Sequence, residues 1–462
     1  MSIFKKKTFE SIRQSSNDSS LSKTLTAFDL ILFGLGAIIG TGVFVLTGLV
    51  AAKHSGPAVT ISYAIAGMTC IFVALAYTEI AAMLPTSGSV YTYSYVAFGE
   101  VFAWLMGSIL ILELCFGAAT VSAGWSAYIQ GILESGGIHL PTYLANVSSK
   151  DGLINLPAIF ITLIVGIILY RGTKDSKRLN AVLVLIKMAA VSAFIIAALP
   201  HFDISNWDNF MPHGFDDVLI GSSILFFAFT GFGAIASAAE ECKNPKKDLM
   251  VGIIGSLVLS TLVYVVIGGL VTGIAPYYEL NNAQPLAKAL KLNGSNIGSA
   301  IVAIGAVCGM TTVIMMNIYA QSRIFYVMAR DGLLPKIFSK IHPKYDSPNA
   351  TIIIFTIITA LLGGFFPYEI LGQLSSMGAL VDYISISLIV MIFRVKYPEA
   401  PRAFKCPALF IIAPIACIAS AYLLSKQIIG KDGGLLLTGK LLGFWLIAMF
   451  MLYLLRKPSM SK

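Results

Sequence analysis

Apolar residues in this chain do not alternate with polar ones; they come in blocks. Long apolar stretches occupy 27–52, 57–84, 101–132, 153–170, 179–199, 217–239, 249–275, 297–329, 351–366, 374–393, 407–425 and 440–455. A helix that crosses a bilayer needs about 20 apolar residues, with roughly 17–25 the usual range. The pattern therefore predicts twelve membrane-spanning helices joined by short polar loops, with 351–366 at the lower bound of length. Two blocks carry an unexpected punctuation. "GLGAIIGTGVF" at 34–44 crowds Gly34, Gly36, Gly40 and Gly42 into the first span, and "ILFFAFTGFGAIASAAEE" places Gly231 and Gly233 in the middle of the sixth. Glycine costs a helix about 1 kcal/mol relative to alanine, so both spans are weakened where a continuous helix would be strongest.

Three readings of these glycines compete. A dinucleotide-binding fingerprint needs G-x-G-x-x-G between a strand and a helix, but the third glycine here comes one residue late and the flanks are apolar spans. Close helix packing through small residues suits the Gly36/Gly40 spacing. The third reading uses both spans at once. Spans one and six open two five-helix sets, and glycine-interrupted segments at corresponding positions of two halves point to a transporter with internal repeats and a midplane site. Unwound backbone at that depth is tolerated only where protein or a water-filled cavity receives its polar groups. In span one the freed carbonyls lie near Ile38 and Ile39. The amides of Thr41 and Gly42 open the next half-helix, an end that favours an anion. A zwitterion suits such a pair of ends. The expected organisation is an N-terminal tail (1–26), a first five-helix set (27–200), a second, inverted set (217–393), and two final helices (407–456).

Composition agrees with the blocks. The 462 residues are 57% hydrophobic and 12% charged, with a mean hydropathy of +0.82, whereas soluble domains carry about 25% charged residues. Soluble enzymes are excluded. Residues 1–26 lack the short apolar core of a cleavable signal and read as a disordered cytosolic tail. The net charge of +9 has a membrane explanation rather than a nucleic-acid one. With the N-terminus inside, 23 Lys/Arg fall on the inner segments, seven on the outer ones, and two, Lys187 and Arg323, within spans. This is the positive-inside bias, and it predicts both termini in the cytoplasm. Six cysteines, four of them within spans, make no disulfide framework. The five histidines all fall outside the spans, so no metal cluster is expected.

The chain resembles the amino acid–polyamine–organocation superfamily and, within it, the cationic amino acid transporter family, over nearly its whole length. The resemblance is carried by "GLGAIIGTGVFVLTG", "PTSGSVYTYSYVAFGEVFAWLMG", "FFAFTGFGAIASAAEECKNPKKD" and "QSRIFYVMARDGLLP". It implies an all-α polytopic fold of twelve helices, the 5+5 inverted repeat shared with sodium-coupled neurotransmitter transporters plus two further helices. It implies an α-amino acid substrate held by Ile38, Thr41 and Gly42 of helix one. On helix six it implies Phe227 as an aromatic gate, with Thr230 and Gly231 offering backbone groups. Gly233 departs from the pattern, because an aspartate often follows "GF" in the family.

Three ionisable residues sit inside spans. A central lysine costs about 2.5–3.5 kcal/mol on insertion scales. Lys187 lies some eight residues from the nearer end of its span, about 12 Å at 1.5 Å per residue, beyond the reach of its own side chain. Taking an ammonium out of water favours its neutral form, and the resemblance places a lysine on helix five of proton-coupled members. Lys187 is therefore the candidate coupling group, able to hold freed carbonyls of helix one when charged; a static structural cation is the alternative. Glu113, mid-span in "ILILELCFGAA", has three roles open: counter-ion to Lys187, partner of a substrate, or protonated packing residue. The resemblance favours the substrate side. Asp382, in "SSMGALVDYISIS", departs from the family and reads as a water-accessible proton relay, as an extra cation-binding group, or as a hydrogen-bonded acid against a neighbouring helix. Glu79, Glu100, Glu240, Glu241, Arg323, Arg330 and Asp331 group near the inner ends and read as gate-closing ion pairs. Met316 and Asn317 are secondary candidates for the side-chain pocket.

These features predict a secondary active transporter of the cytoplasmic membrane that imports an α-amino acid, cationic or small and neutral, with a proton and without a cofactor or metal. A sodium-independent exchanger is the near alternative, and a non-transporting sensor is a third. A channel needs a continuous polar pore or carbonyl ring, for which there is no repeated filter. The expected partners are the substrate and the bilayer; a homo-oligomer or a single-span accessory subunit stays open.

Overall fold

The computed structural model describes residues 7–8, 10, 21–147, 152–430 and 434–455. Among them the chain is all-helical, with two isolated backbone bridges and no sheet. Its main helices are α1 (Ala27–Ile38, resuming at Gly42), α2 (Val59–Met83), α3 (Glu100–Ser135), α4 (Leu156–Tyr170), α5 (Thr173–Ala198) and α6 (Phe215–Leu225, with a last turn at Ala234–Ser237). They continue as α7 (Pro245–Ile274), α8 (Asn296–Arg330), α9 (Asn349–Phe365), α10 (Tyr368–Lys396), α11 (Leu409–Ile428) and α12 (Leu437–Leu455).

Among the described residues nine helical runs are long and apolar enough to cross a membrane, and α4 and α9 are shorter apolar helices. One of the nine runs from Ala27 to Met83, 57 residues, more than twice what a single crossing needs. It reverses at Gly56, whose φ of 59° is open chiefly to glycine. Several helices outrun the apolar blocks: α5 begins at Thr173 and α10 spans 29 residues, Tyr368–Lys396. Polar turns at the ends still make backbone hydrogen bonds, which hydropathy does not register.

Two short helices were not foreseen. Ser89–Ala97 lies between α2 and α3 with every residue buried, and Pro285–Leu292 lies between α7 and α8. The tail also differs from expectation. Most of residues 1–20 falls outside the described residues, but Leu21–Thr26 is docked rather than disordered. Leu21 and Leu25 are buried, the amides of Thr24 and Leu25 donate to Glu241 O, and the amide of Lys243 donates to Leu25 O. Burying two leucines stabilises by about 1.5–3 kcal/mol each, enough to hold a short segment. Thr26 then opens α1 with a capping box: its amide donates to the Asp29 carboxylate at 2.8 Å, and the Asp29 amide donates back to its hydroxyl at 3.4 Å.

The two glycine-interrupted helices are buried in the bundle: α1 packs on α5, α7 and α8, and α6 on α2 and α8. Most of α12 faces outward: Phe444, Ile447 and Leu455 are exposed, as expected of a lipid-facing helix.

Candidate functional site

Both weakened helices break. In α1, Ile39 adopts φ −79° and ψ 101°, an extended conformation, and the chain resumes as a wide π-type turn at Gly42–Leu46. In α6, a tight turn at Phe226–Phe229 ends at Thr230 with ψ 150°, and Gly231 follows with φ 103°. That conformation is closed to most side chains, and a Cβ there would lie 3.0 Å from Ala37 O. The break in α6 is thus built against the break in α1. The two meet again at Gly42, where an added Cβ would lie 2.3 Å from Ala228 Cβ.

A small cavity lies between the breaks. From α1 it is lined by Ala37, Ile38, Gly40, Thr41 and Gly42, and from α6 by Phe227 and Thr230. Val121 of α3 and Val313 and Asn317 of α8 complete the wall. The first amides of a resumed helix have no partner within it, which leaves those of Thr41 and Gly42 facing this space. Two side-chain atoms on its wall, Thr41 Oγ1 and Asn317 Oδ1, are buried without a hydrogen-bond partner. Buried polar atoms are usually satisfied, so two orphans on one small cavity mark a place built for a polar occupant. Thr230 is the third polar side chain there, its hydroxyl donating to Phe227 O at 2.8 Å. The other side chains are apolar, and among the described residues no charged side chain lines the cavity.

The carbonyls released by the breaks are taken by side chains. Lys187 Nζ donates to Leu35 O at 2.6 Å, to Ile39 O at 2.9 Å and to Thr312 Oγ1 at 3.0 Å. The lysine is fully buried. Gly305 and Gly309 of α8 make its room, since a Cβ on Gly309 would lie 3.3 Å from Lys187 Cδ. The Tyr264 hydroxyl stands 2.8 Å from Ile38 O and 2.9 Å from Ala228 O, so one phenol bridges both breaks. Tyr63 donates to Gly42 O at 3.0 Å, and Tyr128 to Phe44 O at 2.7 Å.

Of the residues singled out from the sequence, Ile38, Thr41, Gly42, Phe227 and Thr230 come together on this cavity. Gly231 shapes the turn without lining it. Glu113 does not line it; with Asp382 it lines a second cavity, and neither acid is among the groups that Lys187 contacts. Asn317 was a secondary candidate and lines the wall, whereas Met316 is buried beside it. Tyr264, Thr312 and Val121 were missed. A tyrosine buried in an apolar block must place its hydroxyl on some acceptor, which was the available signal for Tyr264.

The grouped charges do pair. Arg323 and Glu241 are both buried and 2.9 Å apart, with the Tyr319 hydroxyl donating to Glu241 at 2.6 Å. Arg330 holds Glu240 at 3.0 Å, Arg402 holds Glu79 at 3.0 Å beside Arg394, and Lys7 pairs with Asp331. Glu100 accepts from the hydroxyls of Tyr95 and Tyr453. Together these contacts tie the ends of α2, α6, α8 and α10 at one face of the bundle. The described histidines and cysteines form no group suited to a metal.

The amino acid permease family profile matches residues 25–452, a span that includes both breaks and the whole cavity wall. The chain belongs to the amino acid permease family. It is a multi-pass membrane protein of a family of transporters. The permease is 43% identical to the branched-chain amino acid permease BcaP of Bacillus subtilis over 429 residues, 92% of each chain. It is 41% identical to the methylthioribose transporter of the same organism over 422 residues, 91% of each chain. It is 38% identical to the chloroplastic cationic amino acid transporter 9 of Arabidopsis thaliana over 396 residues, 83% of the permease and 68% of that protein.

Proposed function

We propose that the permease is a proton-coupled symporter of a neutral, aliphatic α-amino acid in the cytoplasmic membrane. The observation that carries this reading is the cavity between the breaks. Its backbone ends suit a carboxylate and an ammonium, and its side-chain wall of Ile38, Val121, Val313 and Phe227 is apolar. A cationic side chain would meet no carboxylate there, because Glu113 lies elsewhere. Branched-chain permeases among the relatives point the same way.

In this reading twelve helices cross the bilayer in two inverted sets of five followed by two. The order of lengths supports it: the short α4 and α9 hold matching places, as do the long α3 and α8 and the broken α1 and α6. The ion-paired face, rich in lysine and arginine, is the cytoplasmic one. The substrate carboxylate binds the Thr41 and Gly42 amides, and its ammonium the carbonyl-rich side of the α6 break. Phe227 covers it. Lys187, when charged, clamps Leu35 and Ile39 and favours the arrangement closed to the cytoplasm. Losing the proton removes one donor and weakens the clamp, shifting the population toward opening. Asp382 is not in this clamp.

Uptake into proteoliposomes under an inward pH gradient tests the reading, with leucine, alanine and arginine as probes and Lys187→Met beside the wild type. The expected result is gradient-driven accumulation of leucine that Lys187→Met abolishes while gradient-free counterflow survives. Counterflow without any gradient-driven accumulation by the wild type overturns coupling in favour of exchange, and preferential uptake of arginine overturns the substrate class.

A further inference from the structure

The second cavity is lined by Glu113 and Leu114 of α3, Asp382 of α10, Tyr77 of α2, Gly233 of α6 and Ile324 of α8, among others. It shares α3, α6 and α8 with the substrate cavity but lies nearer the ion-paired face. On α8 the step from Asn317 to Ile324 is seven residues, and on α3 the step from Val121 to Leu114 is also seven, about 10 Å at the rise of a helix. The two cavities and the Arg330–Glu240 pair thus follow one another along α6 and α8.

Both acids are almost fully buried, and each keeps one oxygen, Glu113 Oε2 and Asp382 Oδ1, without a hydrogen-bond partner. Among the described residues no lysine, arginine or histidine lines the cavity. The other titratable side chains that face the pair are Tyr77, Tyr93 of the short helix Ser89–Ala97, Tyr383 next to Asp382, and Cys70 of α2, none of which carries a positive charge. α6 and α8 bring only Gly233, Ala234 and Ile324. The backbone is shaped to hold the acids together. α10 touches the π-type turn Leu112–Phe116 of α3 at Gly378, where a Cβ would lie 2.8 Å from Glu113 N, and Ser375 Oγ donates to Glu113 O at 2.6 Å. Asp382 stands one turn beyond Gly378. Two neighbouring carboxylates buried from solvent cannot both be ionised without a compensating cation, and the arginines paired at the nearby face are each engaged with another acid.

We propose that Glu113 and Asp382 form a second proton-binding site, separate from Lys187, in which one acid's O–H bonds to the other's carboxylate while the ion-paired face is shut. Water entering as that face opens takes the proton and leaves both acids charged and hydrated. Gly233 leaves this wall without an acid of its own, so Asp382 supplies the second carboxylate from the opposite helix. The role in transport rests on the proton-coupled reading above; the site itself does not.

The test is infrared difference spectroscopy on the full chain in lipid nanodiscs at neutral pH, in water and in heavy water. The expected result is a carboxylic acid C=O band, shifted in heavy water, worth one group when the wild type is compared with Glu113→Gln/Asp382→Asn, and unchanged in Lys187→Met. No difference between wild type and double variant, or a difference worth two groups, overturns the proposal. Should the double variant not fold, Asp382→Asn decides: an amide replacing the carboxylate partner must shift or remove the band, and an unmoved band overturns it. A band present in choline buffer and absent in sodium buffer assigns the cavity to a metal cation and also overturns it. Because no transport is measured, a protein that shows the band without gradient-driven uptake refutes coupling and leaves the site standing.

Discussion

Gly42→Ala puts the contact between the two broken helices to the test. An added methyl would lie 2.3 Å from Ala228 Cβ and 2.5 Å from Ala228 Cα, against the roughly 3.5–4.0 Å that carbon atoms prefer. More than about 1 Å must open between α1 and α6, and the obstacle includes backbone that cannot rotate away. Overpacking of this kind costs about 1–3 kcal/mol, occasionally more, which lowers the closed arrangement about 5- to 150-fold at 1.4 kcal/mol per tenfold. Counterflow of leucine in proteoliposomes should fall within that range, and the apparent melting temperature in detergent should drop. Gly443→Ala is the control, since nothing lies within 4 Å of the Cβ it adds, and it should behave as wild type. Wild-type counterflow and melting for Gly42→Ala would show that the helices do not meet at Ala228 in any state the cycle visits.

Further outcomes follow from single contacts. Tyr264→Phe leaves Ile38 O and Ala228 O without their phenol, and an unsatisfied buried acceptor costs about 1–3 kcal/mol; a measurable fall in melting temperature and in counterflow rate is expected. Arg323→Met strands the buried Glu241 carboxylate, a loss of about 3–5 kcal/mol, and the compound change Arg323→Met/Glu241→Leu should recover much of the melting temperature. Val121→Ala enlarges the wall of the substrate cavity; competition assays should shift toward bulkier aliphatic side chains, by about 10- to 200-fold per methylene accommodated. Asn317→Leu removes one of the two orphan polar atoms and should raise the KM for the amino acid with little change in melting temperature.

Much of this protein was legible in its order of residues. Spans are a property of local hydropathy, and Gly36–Gly42 and Thr230–Gly231 mark breaks because backbone preference is also local. Lys187 announced itself because a charge far from any helix end has few alternatives to a buried polar partner. The sequence alone thus determined the helical membrane class and the two weak points, and it singled out Ile38, Thr41, Gly42, Phe227 and Thr230, which line the cavity between the breaks. Partners brought from distant parts of the chain were a different matter. That Tyr264 of α7 bridges the breaks, that Val121 and Asn317 finish the wall, and that Leu21–Thr26 docks on Glu241 depend on which helix faces run against one another. The same holds for Glu113. A mid-span glutamate can serve a substrate or another acid equally well, and only the approach of α10 at Gly378 set it beside Asp382 and away from Lys187. Hydropathy and backbone propensity act over one or two turns and are written in consecutive residues. Burial, pairing and the shape of a cavity arise between residues hundreds of positions apart, and packing alone decides them.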